Sequence, residues 1–173
     1  TNIAGFNYRM TELQAAVCRV QLNILDGLNT ERLKLVKQLN NGLREFDFLV
    51  VPEEKHDCES TYYVYPLKFL SEIAGIKREQ FVEAVNAEGI NFFQGYVKPL
   101  YTQPVYQKRS LFKNGYPFSA IENKSCRMEY NIGICPNAEK LHFDQMIINE
   151  HIRLPNTEED VRDIINAIRK IVT

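Results

Sequence analysis

The sequence predicts an α/β protein of the α+β kind, a two-layer sandwich preceded by long connecting helices. Three observations predict it. Apolar residues recur at helical spacing from Thr11 to about Asp47. Beyond Asp47, short β-rich runs alternate with amphipathic helical stretches. The chain then closes on a segment from Thr157 to Val172 whose apolar residues mark one clean face. A helical arm followed by strands with helices between them fits two packed layers.

Thr11 can cap the first helix, and Gln14 three residues on closes a capping box. Leu13, Val17, Val20 and Ile24 follow helical spacing, and Cys18 among them reads as a small buried residue. Asp26-Gly27 interrupts the pattern, so a junction or kink is expected before Leu35, Leu39, Leu43 and Phe46 carry a second helix. A helical pair this long exceeds what a small domain needs for its own core. It suits a connector between domains or along a partner subunit, with a boundary expected between 47 and 48.

Leu49-Val50-Val51-Pro52 and Thr61 to Leu67 read as two strands, parted by a polar connection from Glu53 to Ser60. Lys77 to Glu88 is an amphipathic helix with Phe81, Val82 and Val85 inward and Gly89 as its stop. Ile90-Asn91-Phe92-Phe93 is a further strand. An irregular stretch rich in proline and tyrosine runs from Gly95 to about Phe118. Loops this long are functional or disordered, and its tyrosines, which need packing partners, argue for order. A short helix is expected around Ser119 to Met128, another opening at Cys135-Pro136, and a strand from Met146 to Leu154. The last helix is capped by Thr157, with Val161, Ile164, Ile165, Ile168, Ile171 and Val172 inward. Its polar face, including Arg169 and Lys170, reads as solvated.

With 173 residues, 45% hydrophobic and 25% charged, the chain can bury one core, with or without an appendage. Basic and acidic residues balance at 21 and 22, which leaves no global field to recruit nucleic acid or an anionic membrane. No apolar run reaches membrane-spanning length and no secretory leader is seen, so reduced thiols and a cytoplasmic setting are expected. The opening Thr-Asn-Ile-Ala reads as the interior of a longer chain. Cys126, Cys135 and His142 are spaced too irregularly for a zinc module, and no metal site is expected. His56, His142 and His151 stand far apart in polar surroundings and read as exposed. There is no G-x-S-x-G, no phosphate-binding glycine loop and no H-E-x-x-H.

Two loops of unusual composition remain. Gly5 to Met10 puts Asn7 and Arg9 just ahead of a capped helix, where they can hold an anion with backbone help. The same residues can instead tie down a surface turn. Gly95 to Tyr106 gathers tyrosines around Lys98, which either binds an anion or is simply solvated.

The run Gly5-Phe6-Asn7-Tyr8-Arg9-Met10-Thr11-Glu12-Leu13-Gln14-Ala15-Ala16, followed by Gln21-Leu22 and Arg32, closely resembles the DegT/DnrJ/EryC1/StrS family. These are pyridoxal 5'-phosphate enzymes that aminate nucleotide sugars and aminocyclitols. The resemblance persists in order through Tyr63-Val64-Tyr65-Pro66-Leu67, Arg78-Glu79-Gln80-Phe81, Glu88-Gly89-Ile90, Tyr96-Val97-Lys98-Pro99-Leu100-Tyr101 and Cys135-Pro136-Asn137-Ala138-Glu139. It implies a fold of the aspartate-aminotransferase type. Residues 1–47 would be the end of the large domain with the interdomain helices, and 48–173 the small C-terminal domain. It also implies a homodimer in which Asn7 reaches the cofactor phosphate of the neighbouring subunit. Arg9 would hold a phosphate or a substrate carboxylate. The tyrosine-rich loop corresponds to a segment near the sugar, which makes Tyr101 and Gln103 substrate-binding candidates. Tyr101 stands where many members carry histidine.

The family's Schiff-base lysine segment has no match in this chain. The resemblance therefore assigns no catalytic residue here and implies that this portion alone does not turn over. The implied reaction moves an amino group from glutamate or glutamine to a keto-sugar, nucleotide-linked, or to a keto-cyclitol. Cell-surface polysaccharide or amino-sugar biosynthesis is the implied setting. Two alternatives stay open: a related sugar dehydratase using the pyridoxamine form, with histidine replacing the lysine, and a non-catalytic sugar-binding module.

Overall fold

The computed structural model describes residues 8–109, 111–125 and 129–172. Helix α1 (Glu12–Leu43) opens as its capping box predicts. Thr11 Oγ1 accepts from the Gln14 amide at 3.3 Å, and the Gln14 side chain accepts from the Thr11 amide at 3.0 Å. The expected kink at Asp26-Gly27 is absent, and α1 is one helix of 32 residues. One interior glycine costs a helix only about 1 kcal/mol. The Thr30 hydroxyl bonds back to the Asp26 carbonyl at 2.8 Å without breaking the turn.

Only the second half of α1 enters a core. Leu35, Val36, Leu39 and Leu43 are buried, whereas Leu13, Val17, Val20, Leu22 and Ile24 are 48% to 77% exposed. Cys18 is exposed as well, which corrects its expected burial. This half of the helix runs clear of the sheet, so helical spacing there records a face without an inside.

Among the described residues, strands β1 (Leu49–Val50), β2 (Tyr65–Phe69), β3 (Phe93–Gln94) and β4 (Met146–Asn149) form one antiparallel sheet. Their order is β1-β2-β4-β3. Tyr65 pairs with Asn149, Leu67 with Ile147 and Phe93 with Ile148. Along β2, Tyr65, Leu67 and Phe69 are buried while Pro66 and Lys68 face out, the alternation of a sheet covered on one side. The strand starts at Tyr65 rather than Thr61 because Tyr62 takes a φ of +45°, which turns the chain before the ladder begins. β4 stops at Asn149, whose side chain accepts from the His151 amide at 2.7 Å and donates to the Asn91 carbonyl at 3.0 Å.

Helix α2 (Ser71–Ala74) is a single turn, and α3 (Arg78–Ala87) buries Phe81, Val82 and Val85 as expected. In the loop region, α4 (Pro104–Gln107) and α5 (Pro136–Glu139) are also single turns. α5 widens into a π-helical segment, Lys140–Gln145. The helix expected around Ser119 to Met128 is one 3-10 turn, Ile121–Asn123, with 126–128 outside the described residues. Its neighbourhood spends side chains on local carbonyls, Ser119 on Asn114 and Asn123 on Pro117, both at 2.8 Å, and such bonds compete with a helix.

Helix α6 (Glu158–Val172) buries Val161, Ile164, Ile165 and Ile168. Val172, expected inward, is exposed one turn past the last of these. The polar face does more than meet water: Arg169 pairs with Glu45 at 2.6 Å and Lys170 with Glu88 at 2.7 Å. α1 and α6 touch at Gly42, where a Cβ would stand 2.2 Å from Ile165 Cδ1, so only glycine permits this approach. Phe69 stacks on Phe81 at 4.8 Å between ring centres, and Phe48 meets both edge-on. Phe69 and Phe81, both fully buried, each contribute roughly 1.5–3 kcal/mol. The second half of α1, with α3 and α6, thus forms the layer over one face of the sheet.

Candidate active site loops

The tyrosine-rich loop starts at Gly95, which leaves β3 with a φ of +66° while its amide donates to the Met146 carbonyl at 2.7 Å. A Cβ here would stand 2.9 Å from His142 Cε1 and 3.1 Å from the His142 carbonyl. His142, expected exposed, is half-buried against this glycine, whereas His56 and His151 are exposed as expected. Burial, and then the charges of Arg78 and Lys98, hold the His142 pKa below its ordinary value. Arg78 is only 6% exposed. It donates through Nη1 to the carbonyls of His142 (2.9 Å) and Met146 (3.2 Å), and through Nη2 to that of Phe143 (2.6 Å). An enlarged turn leaves carbonyls without ladder partners, and a forked guanidinium answers several at once.

Tyr101 lies in the 3-10 turn Leu100–Thr102 and is 8% exposed. Its hydroxyl donates to Glu139, and burial together with that bond pushes its pKa up to about 12. Glu139 also accepts from the amides of Gly133 (2.8 Å) and Cys135 (3.3 Å). These donors, Tyr101 foremost, lower the Glu139 pKa. Gln107 donates to the carbonyls of both Tyr101 and Tyr130 at 2.6 Å. Beside it, Tyr106, Phe118 and Tyr130 pack with ring centres 5.2 to 6.3 Å apart. Glu139, Gln107 and this aromatic trio therefore tie the described residues of the long stretch to the segment from Tyr130 to Glu139.

Tyr101 and Gln103 share this turn, and Gln103 is half-buried at the N-terminus of α4. Arg9 is exposed two residues ahead of the Thr11 cap, and Asn7 lies outside the described residues. At ~1.5 Å per residue, α1 carries its own start roughly 35 Å along the axis from Leu35, its first buried residue. The Arg9 end is thus held out from the sheet. Reading the residues alone missed Glu139, Gln107 and Arg78 as organisers. Each has at least one partner remote in the chain, Tyr101 for Glu139, Tyr130 for Gln107 and His142 for Arg78, and no local pattern marks those pairings. Among the described residues no group of His, Cys, Asp and Glu could hold a metal ion, and no helix is long and apolar enough to cross a membrane.

The chain matches the DegT/DnrJ/EryC1/StrS aminotransferase family over residues 1–169. A protein of Micromonospora echinospora, provisionally named an L-glutamine:3-amino-2,3-dideoxy-scyllo-inosose aminotransferase, is 29% identical over 172 residues, covering 98% of this chain and 40% of that protein. The spore coat polysaccharide biosynthesis protein SpsC of Bacillus subtilis is 23% identical over 168 residues, covering 97% and 38%. The crystal structure of S. venezuelae DesV superposes with a TM-score of 0.74 at 21% identity, over 99% of this chain and 39% of DesV. The chain therefore spans about 40% of the length of the relatives it matches. Its α/β fold is shared with pyridoxal-phosphate aminotransferases. On the match over 1–169, the chain belongs to the DegT/DnrJ/EryC1/StrS aminotransferase family.

Proposed function

We propose that this chain is the C-terminal part of a longer, homodimeric, pyridoxal-phosphate-dependent aminotransferase of the cytoplasm. Residues 1–47 would close the large domain and bridge to the small domain, 48–173. An amino group passes from glutamate or glutamine to a keto-sugar, nucleotide-linked, or to a keto-cyclitol. Amino-sugar or cell-surface polysaccharide biosynthesis is the setting. The observation that carries this reading is the family match over nearly the whole chain. The names of the relatives, an aminocyclitol aminotransferase and a spore coat polysaccharide protein, support a polyhydroxylated ring as acceptor.

The shape of α1 supports the division into parts. It presents Arg9 at the end of a rod whose apolar residues Leu13, Val17, Val20 and Ile24 lie uncovered. Their 4-3-4 spacing is that of a seam which packs on another helix, as a large domain or second subunit would supply. The same end fits the phosphate of pyridoxal 5'-phosphate. A helix N-terminus favours an anion, Arg9 brings a forked cation, and Asn7, two residues earlier in the sequence, would add an amide donor. The Thr11–Gln14 box fixes where that N-terminus points.

When bound, the cofactor supplies an electron-withdrawing ring and a carbonyl that hands the amino group from donor to acceptor. The lysines of this chain lie outside the family's Schiff-base context. Proton transfer at the reacting carbon then falls to a residue elsewhere in the longer protein, and this portion alone does not turn over. Gln103 is the candidate substrate contact of this loop, and Tyr101, whose hydroxyl donates to Glu139, holds the loop in shape.

The test uses the full-length protein with its cofactor. Glutamate should bleach the visible cofactor band, and 2-oxoglutarate should restore it. A protein without cofactor absorbance and without glutamate exchange overturns the reading. Cofactor absorbance with loss of water from a sugar, in place of exchange, assigns the dehydratase chemistry instead.

A further inference from the structure

Two tyrosines outside the body held by Glu139 meet at their tips. Tyr63, just ahead of β2, and Tyr96, just after β3, are 33 residues apart in the chain, yet their hydroxyls lie 3.1 Å apart. β2 and β3 both run antiparallel to β4, so Tyr63 precedes the pairing at Asn149 and Tyr96 follows the pairing at Ile147, and the two side chains reach toward each other along β4. Tyr63 is 67% exposed and Tyr96 46% exposed, so a large part of each residue is open to a ligand.

The chemistry left over at this pair is specific. Of two bonded hydroxyls, the acceptor keeps its own O–H to give, and both keep lone pairs. The bond to Tyr63, and to a lesser degree the charge of Glu150, raise the Tyr96 pKa, so Tyr96 keeps its proton near neutral pH. Tyr63 also lines an open groove of about 600 Å³ with Pro52, Cys58 and Pro66. Aromatic faces beside neutral hydroxyls, with a carboxylate nearby, match a saturated ring: its C–H face packs on the aromatics and its hydroxyl rim meets the polar groups. Tyr101 offers no such surface, being buried with its hydroxyl on Glu139.

We propose that Tyr63 and Tyr96 together form a contact for the hydroxyl rim of a six-membered ring, the sugar or cyclitol that accepts the amino group. This deepens the aminotransferase reading and rests on it.

The experiment measures binding of UDP-N-acetylglucosamine and of myo-inositol to the full-length holoprotein by saturation-transfer NMR and titration. UDP alone serves as the control. Ring protons of at least one probe should receive saturation. Tyr63→Phe and Tyr96→Phe should each weaken that probe about two- to tenfold, the effect of one hydrogen bond. The double variant should lose little beyond the worse single one, because the hydroxyls act as a pair. Tyr63→Ala, which removes the ring face as well, should lose more than Tyr63→Phe. A response to the UDP sugar assigns the nucleotide-linked acceptor, and a response to myo-inositol the free cyclitol. Absence of ring-proton saturation from both probes, or wild-type affinity in all three phenylalanine variants, overturns the proposal. Circular dichroism melts check that the variants fold. The glutamate response of wild-type holoprotein separates the two failures: its absence sinks the aminotransferase reading, while its presence beside unaltered ring binding sinks only the tyrosine pair.

Discussion

Alanine at position 95 should unseat the loop that carries Tyr96 and Tyr101. Two terms set the magnitude. The backbone there has a φ of +66°, a conformation that costs a residue with a Cβ about 1–2 kcal/mol. The added methyl would stand 2.9 Å from His142 Cε1, 3.0 Å from Nδ1 and 3.1 Å from the His142 carbonyl. The ring can swing away, but the carbonyl is held by Arg78 at 2.9 Å and cannot. Overpacking of this kind costs about 1–3 kcal/mol, for a sum of about 2–5 kcal/mol. At about 2–4 °C per kcal/mol for a chain of this size, Tm should fall by roughly 4–20 °C. Thermal and urea melts of Gly95→Ala, His142→Ala and the double variant measure it. In the double variant the ring contact is gone, so part of the loss should return while the backbone part stays. A loss below about 0.5 kcal/mol for Gly95→Ala, the size of an ordinary surface substitution, would refute the packing described.

Four further outcomes are expected. His142 has its pKa depressed below the ordinary 6.5, so it binds its proton more readily unfolded than folded. Its contribution is therefore fully present above that value and lost as pH falls toward the lowered one, and His142→Gln should flatten this part of the stability profile. An unaltered slope between wild type and variant counts against it. Tyr101→Phe removes the leading donor to Glu139, so the Glu139 carboxyl should titrate closer to its ordinary 4.5, followed by carbon NMR of the side chain; an unmoved titration removes Tyr101 from the pair. Asn7→Ala in the full-length protein should weaken cofactor retention by about 1.5–3 kcal/mol, one hydrogen bond to a charged group. Unchanged cofactor affinity takes Asn7 out of the site. The isolated chain should self-associate through Leu13, Val17, Val20 and Ile24, with Val20→Glu reducing it on sedimentation. A clean monomer at all concentrations argues against that seam.

What could be read from the residues alone is what short-range physics writes. The Thr11–Gln14 box, the inward faces of α3 and α6, and the alternation of β2 depend on neighbours two to four positions apart. The arrangement of those neighbours follows from helix and strand periods. Asn7 and Arg9 drew notice by standing just ahead of a capped helix start, where an anion can be held, and the ordered motif then gave that loop a cofactor phosphate as its implied target. The tertiary structure decided the rest. Gly27 did not bend α1, because one glycine is a small cost against 32 residues of ladder. Cys18 and Val20 sit at helical spacing yet face outward, since periodicity states which residues share a side and never what covers it. The contacts that shape the candidate site join Tyr101 to Glu139 across 38 residues, Arg78 to His142 across 64, and Tyr63 to Tyr96 across 33. Such pairs meet only after β2, β3 and β4 have settled side by side, and no local preference of either partner encodes the meeting.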